Sequence, residues 1–293
     1  MKKYLLPFIA SCVIPLLHSF NIPKFYRGRI FLDEPRFAQN GLFTTDMTFG
    51  GGTKHFCARG YQGHFEFAEL ILQFYQNFNK GFFFHAQLPF GWIRMDDIKR
   101  FDPAAPPLPH CIKKAAIYSP GLFGGWTINY EDTSHLDFID ATCEVGVLLN
   151  SPSSAVNVPL FPIGYTRKPG FATSASCALG ALEWLTVGTY AQVIVFLPAT
   201  IWSAGSYLKL DHLVPRISAI IVFCGDGQNK KIESINPWRM FSLYIGGEVD
   251  LATDDRPWLP RFKAFFSKPL AGYNILKAGM VGFGVGVDAQ IIF

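Results

Sequence analysis

The sequence predicts an all-β chain: an antiparallel sheet closed into a barrel of about ten strands, within a range of eight to twelve, that crosses a lipid bilayer. Three observations carry this. Apolar residues recur at every second position in runs of roughly ten residues, the length a tilted strand needs to span a membrane. Charged residues are only 16% of the chain, while aromatics are 16% and Phe alone numbers 29. A soluble domain carries roughly a quarter charged residues, so the polar exterior is too thin for water. Helical spans are absent from the pattern. The longest uncharged stretch, Trp184 to Leu208, contains Gly188, Pro198 and Gly205, and Val145 to Thr166 is interrupted by Pro152, Pro159 and Pro162. Strands in lipid must close on themselves, because every backbone N–H and C=O has to be paired.

From the N-terminus, Lys2 and Lys3 precede an uncharged, mostly apolar run from Tyr4 to Leu17, followed by Ser19. The run is too short to cross a bilayer and reads as a secretory signal over 1–20, leaving 21–293 as one domain. Ile9-Ala10-Ser11-Cys12 also fits a lipoprotein cleavage box, so both processing routes stay open. Net charge is +4 with Lys and Arg scattered, which is not the footprint of a nucleic-acid binder. Beyond the signal lie Cys57, Cys111, Cys143, Cys177 and Cys224. Their wide spacings exclude zinc-ribbon and thioredoxin-type motifs. Cys57 and Cys111, both in polar segments, are a candidate disulfide in an oxidising compartment.

The strands follow in order. Phe25 to Phe37 is weakly patterned and supplies a tenth strand. Leu42 to Phe49 sets Thr44, Asp46 and Thr48 against Phe43, Met47 and Phe49. Glu66 to Tyr75 has mixed helical spacing, so the stretch near 64–78 reads as a short helix or inward plug. Phe82 to Trp92 opposes Phe82, Phe84, Ala86, Leu88, Phe90 and Trp92 to His85 and Gln87. Leu122 to Glu131 opposes Trp126, Ile128 and Tyr130 to Thr127, Asn129 and Glu131. Ile139 to Leu149 puts Ala141, Cys143, Val145 and Val147 opposite Asp140, Thr142 and Glu144. Ser176 to Trp184 and Thr189 to Leu197 form a tight pair. Leu213 to Phe223 opposes Ile217, Ala219, Ile221 and Phe223 to Arg216 and Ser218. Phe241 to Leu251 opposes Leu243, Ile245 and Val249 to Tyr244, Glu248 and Asp250. The last strand begins near Leu276, with a phase slip at Met280/Val281 that predicts a β-bulge. With the C-terminus in the periplasm, 96–121, 150–174, 199–212 and 252–275 become outer loops. The segments 132–136, 185–188 and 225–237 become periplasmic turns, and 51–80 is an exception to this division. Trp92, Trp126, Tyr130, Trp184, Trp202, Trp238 and Trp258 suit interfacial belts.

In the final strand Phe283, Val285, Val287, Ala289, Ile291 and Phe293 alternate with Gly284, Gly286, Asp288, Gln290 and Ile292. An apolar face running to a terminal aromatic resembles the closing strand of Gram-negative outer-membrane β-barrels. The resemblance also covers the signal and the strand pattern, but no subfamily motif. It implies that Phe283, Val285, Val287, Ile291 and Phe293 act as an assembly signal. It further implies export, an outer-membrane location, periplasmic chaperones, the outer-membrane assembly machinery and contact with outer-membrane lipid. A sandwich strand in a secreted soluble β protein is the alternative.

If these phases hold, the interior carries Asp46, His85, Glu131, Asp140, Glu144, Arg216, Glu248, Asp250 and Asp288. Acids outnumber bases, and acidic rings favour cations. A passive channel or transporter for small solutes, with a weakly cation-preferring lumen, is therefore expected. A side-chain-filled structural or surface-interaction barrel is its alternative, since narrow barrels plug themselves. A fatty-acid-like apolar transporter is a third reading, motivated by the many Phe residues. Enzymatic action is not expected, and an outer-membrane hydrolase is the alternative to that reading. His residues lack a telling nucleophile spacing, no G-x-S-x-G occurs, and Gly50-Gly51-Gly52 and Gly282-x-Gly284-x-Gly286 lack the helix that phosphate loops require. No cofactor or metal is implied.

Overall fold

The computed structural model describes residues 42–290, except 59, 79–80, 105–106, 108, 118, 133–135, 151–168, 183, 198, 215–216, 231–236, 252–255, 257 and 274–278. The signal segment, Phe25 to Phe37, Arg216, and Ile291 and Phe293 of the assembly signal therefore lie outside the described residues.

Among the described residues thirteen antiparallel strands form one sheet. They are β1 (Leu42–Ala58), β2 (Tyr61–Asn77), β3 (Phe82–Arg100), β4 (Ile112–Ile117), β5 (Gly121–Asp132), β6 (Leu136–Leu148) and β7 (Gly170–Leu182). Next come β8 (Leu185–Phe196), β9 (Ala199–Val214), β10 (Ile217–Gln228), β11 (Trp238–Asp250), β12 (Arg261–Tyr273) and β13 (Met280–Gln290). β13 pairs with β1, β1 with β2 and β2 with β3, so the sheet closes. β5 pairs with Phe82–Gln87 of β3, and β4 continues the same edge along Phe90–Met95. β4 therefore stands outside the ring, which has twelve strands. Ten was expected; twelve was the upper alternative, and it is also even, as bacterial barrels require.

The difference has a local cause. The expected plug near 64–78 is strand β2, paired on both edges. Its two faces are both largely apolar, Phe65, Phe67 and Ile71 facing in and Phe74 facing out. A period of two is then invisible. The expected outer loops 199–212 and 252–275 contain β9 and β12. Counting back from the C-terminus, β12 reverses the side of 225–237, which was expected in the periplasm and leads into the connection at the end opposite the close of β13; β9 restores the expected side upstream of it. The residues 185–188 lie inside β8. No register shift accompanies the Met280/Val281 phase slip in β13. Met280 is simply an inward apolar residue at 1% exposure, beside outward Val281 at 65%.

The outer face is the greasy one. Phe82, Phe84, Trp126, Val145, Phe171, Ile221, Phe223, Ile245, Phe262, Phe266, Val281 and Phe283 are all exposed. Trp92, Trp126, Trp184, Trp202 and Trp258 are exposed too, in keeping with the interfacial reading, but Trp238 is buried and faces inward. Glycines make the inner face of β13 closely packed. The Phe265 ring lies against Gly282, where a Cβ would overlap it, and Gly50 sits against Met280 and Phe265. Two residues short of a side chain thus let one aromatic fill their space.

β1 to β4 run beyond the ring. Past Gly51, β1 leaves β13 and pairs with β2 alone. The inner side of this flap carries Tyr61, Phe65, Phe67, Ile93 and Met95, in one buried apolar cluster with Tyr190, Val222, Tyr244 and Phe265 of the ring. Its outer side is polar: Arg94 pairs with Glu66 at 3.7 Å and with Asp96, and Thr53 hydrogen-bonds His64 at 2.7 Å. A bulge occurs where Gln62 and His64 face Lys99 and Asp96; Asp97 there has a left-handed φ of 52°. Outward apolar residues end where this polar face begins, which marks the edge of the lipid band.

Cys111 is an exposed free thiol at the foot of β4, so it does not form the candidate bridge to Cys57. Its thiol is pushed up in pKa, first by a hydrogen bond to the Asp96 carboxylate. Less thiolate is then present at neutral pH. In a protein whose sole cysteine is Cys111, Asp96→Asn is expected to speed maleimide labelling several-fold at pH 7.5. Equal rates would show that Asp96 does not hold the thiol.

Candidate functional site in the barrel interior

Inward positions follow from the parity of each strand, and five of the polar ones fall on one line. Glu144 of β6 is the cross-strand partner of Ser174 in β7, Ser174 of Gln192 in β8, Gln192 of Ser203 in β9, and Ser203 of Asp226 in β10. All five are buried. Ser174 donates to Glu144 Oε2 at 3.3 Å. Because barrel strands tilt, a line perpendicular to them winds along the wall as it climbs.

At the β3 side the line continues into a cage. The His85 Nδ1 lies 2.8 Å from Glu144 Oε1 and its Nε2 lies 2.9 Å from Gln73 Nε2. Tyr75 stacks on the imidazole with centroids 4.2 Å apart, and Phe123 stacks at 5.1 Å. Gln73 Nε2 also donates to the Tyr75 hydroxyl at 3.2 Å. Gln87 faces Gln73 across β2 and β3. Strand pairing explains the cage: Tyr75, His85 and Phe123 are direct partners on three neighbouring strands.

Apolar side chains bracket the line. On β8 Gln192 lies between Tyr190 and Ile194, and on β11 the partner of Asp226 is Met240, an apolar residue that ends the line. Tyr190 and Tyr244 belong to one apolar cluster, Ile194 and Met240 to a second with Phe123, Phe196, Ile201 and Trp238. A cavity of about 10 Å³ opens on the line between Gln192, Ile194, Ser203, Asp226 and Trp238. Several buried polar atoms have no hydrogen-bond partner among the described residues: Gln73 Oε1, both amide atoms of Gln87, Ser203 Oγ and Ser242 Oγ.

Of the residues expected to line the lumen, the structure joins His85 and Glu144. Glu248 faces inward on β11, 3.9 Å from Lys263 Nζ, and Asp250 is half-buried on the same strand face. The side chains of Asp46, Glu131, Asp140 and Asp288 lie outside the described set, although their backbones belong to β1, β5, β6 and β13. Sequence reasoning missed Gln73, Tyr75, Ser174, Gln192, Ser203, Asp226, Arg261 and Lys263. Arg261 and Lys263 are buried, so the interior is less one-sidedly acidic than expected. Alternation along β12 was the available signal, obscured because Phe265 faces in and Lys268 faces out.

No known protein family matches the chain, and no curated protein resembles it in sequence. Solved structures do. The COG4313 outer membrane channel from Pseudomonas putida F1 aligns with a TM-score of 0.63 at 10% identity, over 88% of this chain and 100% of that one. The translocator domain of the autotransporter NalP from Neisseria meningitidis aligns at 0.45 with 11% identity, over 99% and 96%. The outer membrane protein opdK from Pseudomonas aeruginosa gives 0.39 at 6% identity, over 85% and 98%. The latter two likenesses are loose and carry no weight. The first establishes the fold: this chain is a β-barrel of the outer-membrane type.

Proposed function

We propose that the barrel is a passive outer-membrane passage for small solutes. The start of β1 and the end of β13 face the periplasm, and the connections that follow β3, β6 and β10 lie on the outer side. Insertion by the outer-membrane assembly machinery after export, with periplasmic chaperones on the way, belongs to the same reading. So does the role of the β13 apolar face, Phe283, Val285 and Val287, together with Ile291 and Phe293, as the assembly signal.

One observation carries the reading against a purely structural barrel: the polar line from Glu144 to Asp226. On it Ser203 Oγ has no hydrogen-bond partner among the described residues, nor, among the other inward groups, do Ser242 Oγ, Gln73 Oε1 and the Gln87 amide, and each such buried group costs about 1–3 kcal/mol. A barrel selected only to be filled would be more stable with apolar residues there. Polar groups retained at that cost suit a lumen that meets solute or water. Among the described residues the inward acids Glu144, Asp226, Glu248 and Asp250 outnumber Arg261 and Lys263, which supports a weak cation preference.

Planar-bilayer recording tests this. Step conductance is expected, with cation preference reduced by Asp140→Asn plus Glu144→Gln. Insertion without any current would instead favour the structural barrel. The two apolar clusters favour a second reading, carriage of a fatty-acid-like molecule. Current-free insertion combined with uptake of a labelled fatty acid would select it.

A further inference from the structure

Resting on the reading of a solute passage, we propose that the line Glu144–Ser174–Gln192–Ser203–Asp226 is the solute-binding track. Its solutes are small, uncharged and hydroxyl-rich: short polyols and the sugars related to them.

The chemistry of the line selects this class. Its members offer carboxylate, amide and hydroxyl oxygens on five successive strands. Neighbouring strands are about 4.8 Å apart, so the line spans on the order of 19 Å. A polyol carries one hydroxyl per carbon and can exchange partners from station to station. The unpartnered atoms sit at stations of this kind: Ser203 Oγ borders the cavity, and Ser242 Oγ lies one pair away on β11. The cavity's volume of about 10 Å³ is about what one water-sized group occupies. It is a foothold for a single hydroxyl between Gln192 and Asp226.

The flanks fit the other half of such a molecule. Tyr190 and Tyr244 lie on one side of the track, Ile194, Ile201 and Trp238 on the other. These faces take the C–H surface of a polyol while its hydroxyls meet the line. Charged solutes fit less well. An anion would meet Glu144 and Asp226 directly. A cation would be stripped of water among Tyr190, Ile194 and Ile201, which is costly without a full set of ligands. Glu144 is already engaged with His85 at 2.8 Å and with Ser174 at 3.3 Å.

The test uses the full-length protein in proteoliposomes, with swelling rates in isotonic glycerol, erythritol and xylitol. Size-matched N-methylglucamine and gluconate serve as charged probes, and potassium chloride conductance is measured in parallel. Polyols are expected to enter faster than either charged probe. Gln192→Leu with Ser203→Ala removes two stations, each worth about one hydrogen bond, and is expected to slow xylitol about tenfold. Potassium chloride conductance should change less than twofold. Asp226→Asn, which keeps an acceptor, should retain most xylitol flux. Heat-modifiable gel migration confirms that each variant is folded. Conductance with charged probes entering as fast as polyols, or with xylitol flux indifferent to the double variant, overturns the track and leaves the passage standing. Neither swelling nor conductance from folded protein overturns the passage itself.

Discussion

Phe223→Arg is expected to lower stability in phospholipid vesicles by about 2–4 kcal/mol. Phe223 sits at the middle of β10, is 47% exposed, and stacks on Phe241 with centroids 6.4 Å apart. In water an exposed aromatic replaced by Arg would be nearly neutral. Here the side chain faces hydrocarbon, so a guanidinium must snorkel to an interface or drag water inward. The control is Gln62→Arg on the flap, beyond the outward apolar band, where the cost should be close to zero. Urea unfolding of both variants in the same vesicles measures the contrast. Equal small effects would place Phe223 in water and remove the lipid-facing surface.

The second large effect belongs to the interior. Glu144→Ala is expected to cost about 3 kcal/mol, because it strips a partner from two buried groups at once, His85 Nδ1 and the Ser174 hydroxyl. The aromatic faces of Tyr75 and Phe123 offer the imidazole no replacement. Glu144→Gln keeps an amide oxygen in the same place and should cost less than about 1 kcal/mol. The unfolding midpoints of the two variants separate these outcomes. A Glu144→Ala protein as stable as the parent would mean that His85 and Glu144 are not held together.

Much of the fold was legible because lipid forces a simple rule: apolar residues out, at every second position. β3, β6, β10 and β11 obey it, as do the described Phe283, Val285 and Val287 of β13, and these outward residues match those read from sequence. The rule failed where both faces of a strand are greasy. β2 places Phe65, Phe67 and Ile71 inward, since the flap and the lumen need apolar filling as much as the lipid face does. β9 alternates Ile201, Ser203 and Tyr207 with Trp202, Ser206 and Leu208, so neither face is distinctly polar. β12 carries a basic pair inward and Lys268 outward. The site was half visible. His85 and Glu144 stood out because each is charged or ionisable on an otherwise greasy strand. Their meeting, and the alignment of Ser174, Gln192, Ser203 and Asp226, depend on the register between strands. Register is set by pairing partners and turn lengths and leaves no trace in any single strand.

Quenching of single-tryptophan proteins by lipids brominated on their acyl chains tests the central claim most directly. Trp202 projects outward, over Gly225 and Gly227, while Trp238 is buried inside and donates to Gln228 at 3.2 Å. A closed sheet bathed by hydrocarbon requires strong quenching of a protein carrying only Trp202 and little quenching of one carrying only Trp238. Strong quenching of Trp238, or none of Trp202 in membrane-inserted protein, would contradict it.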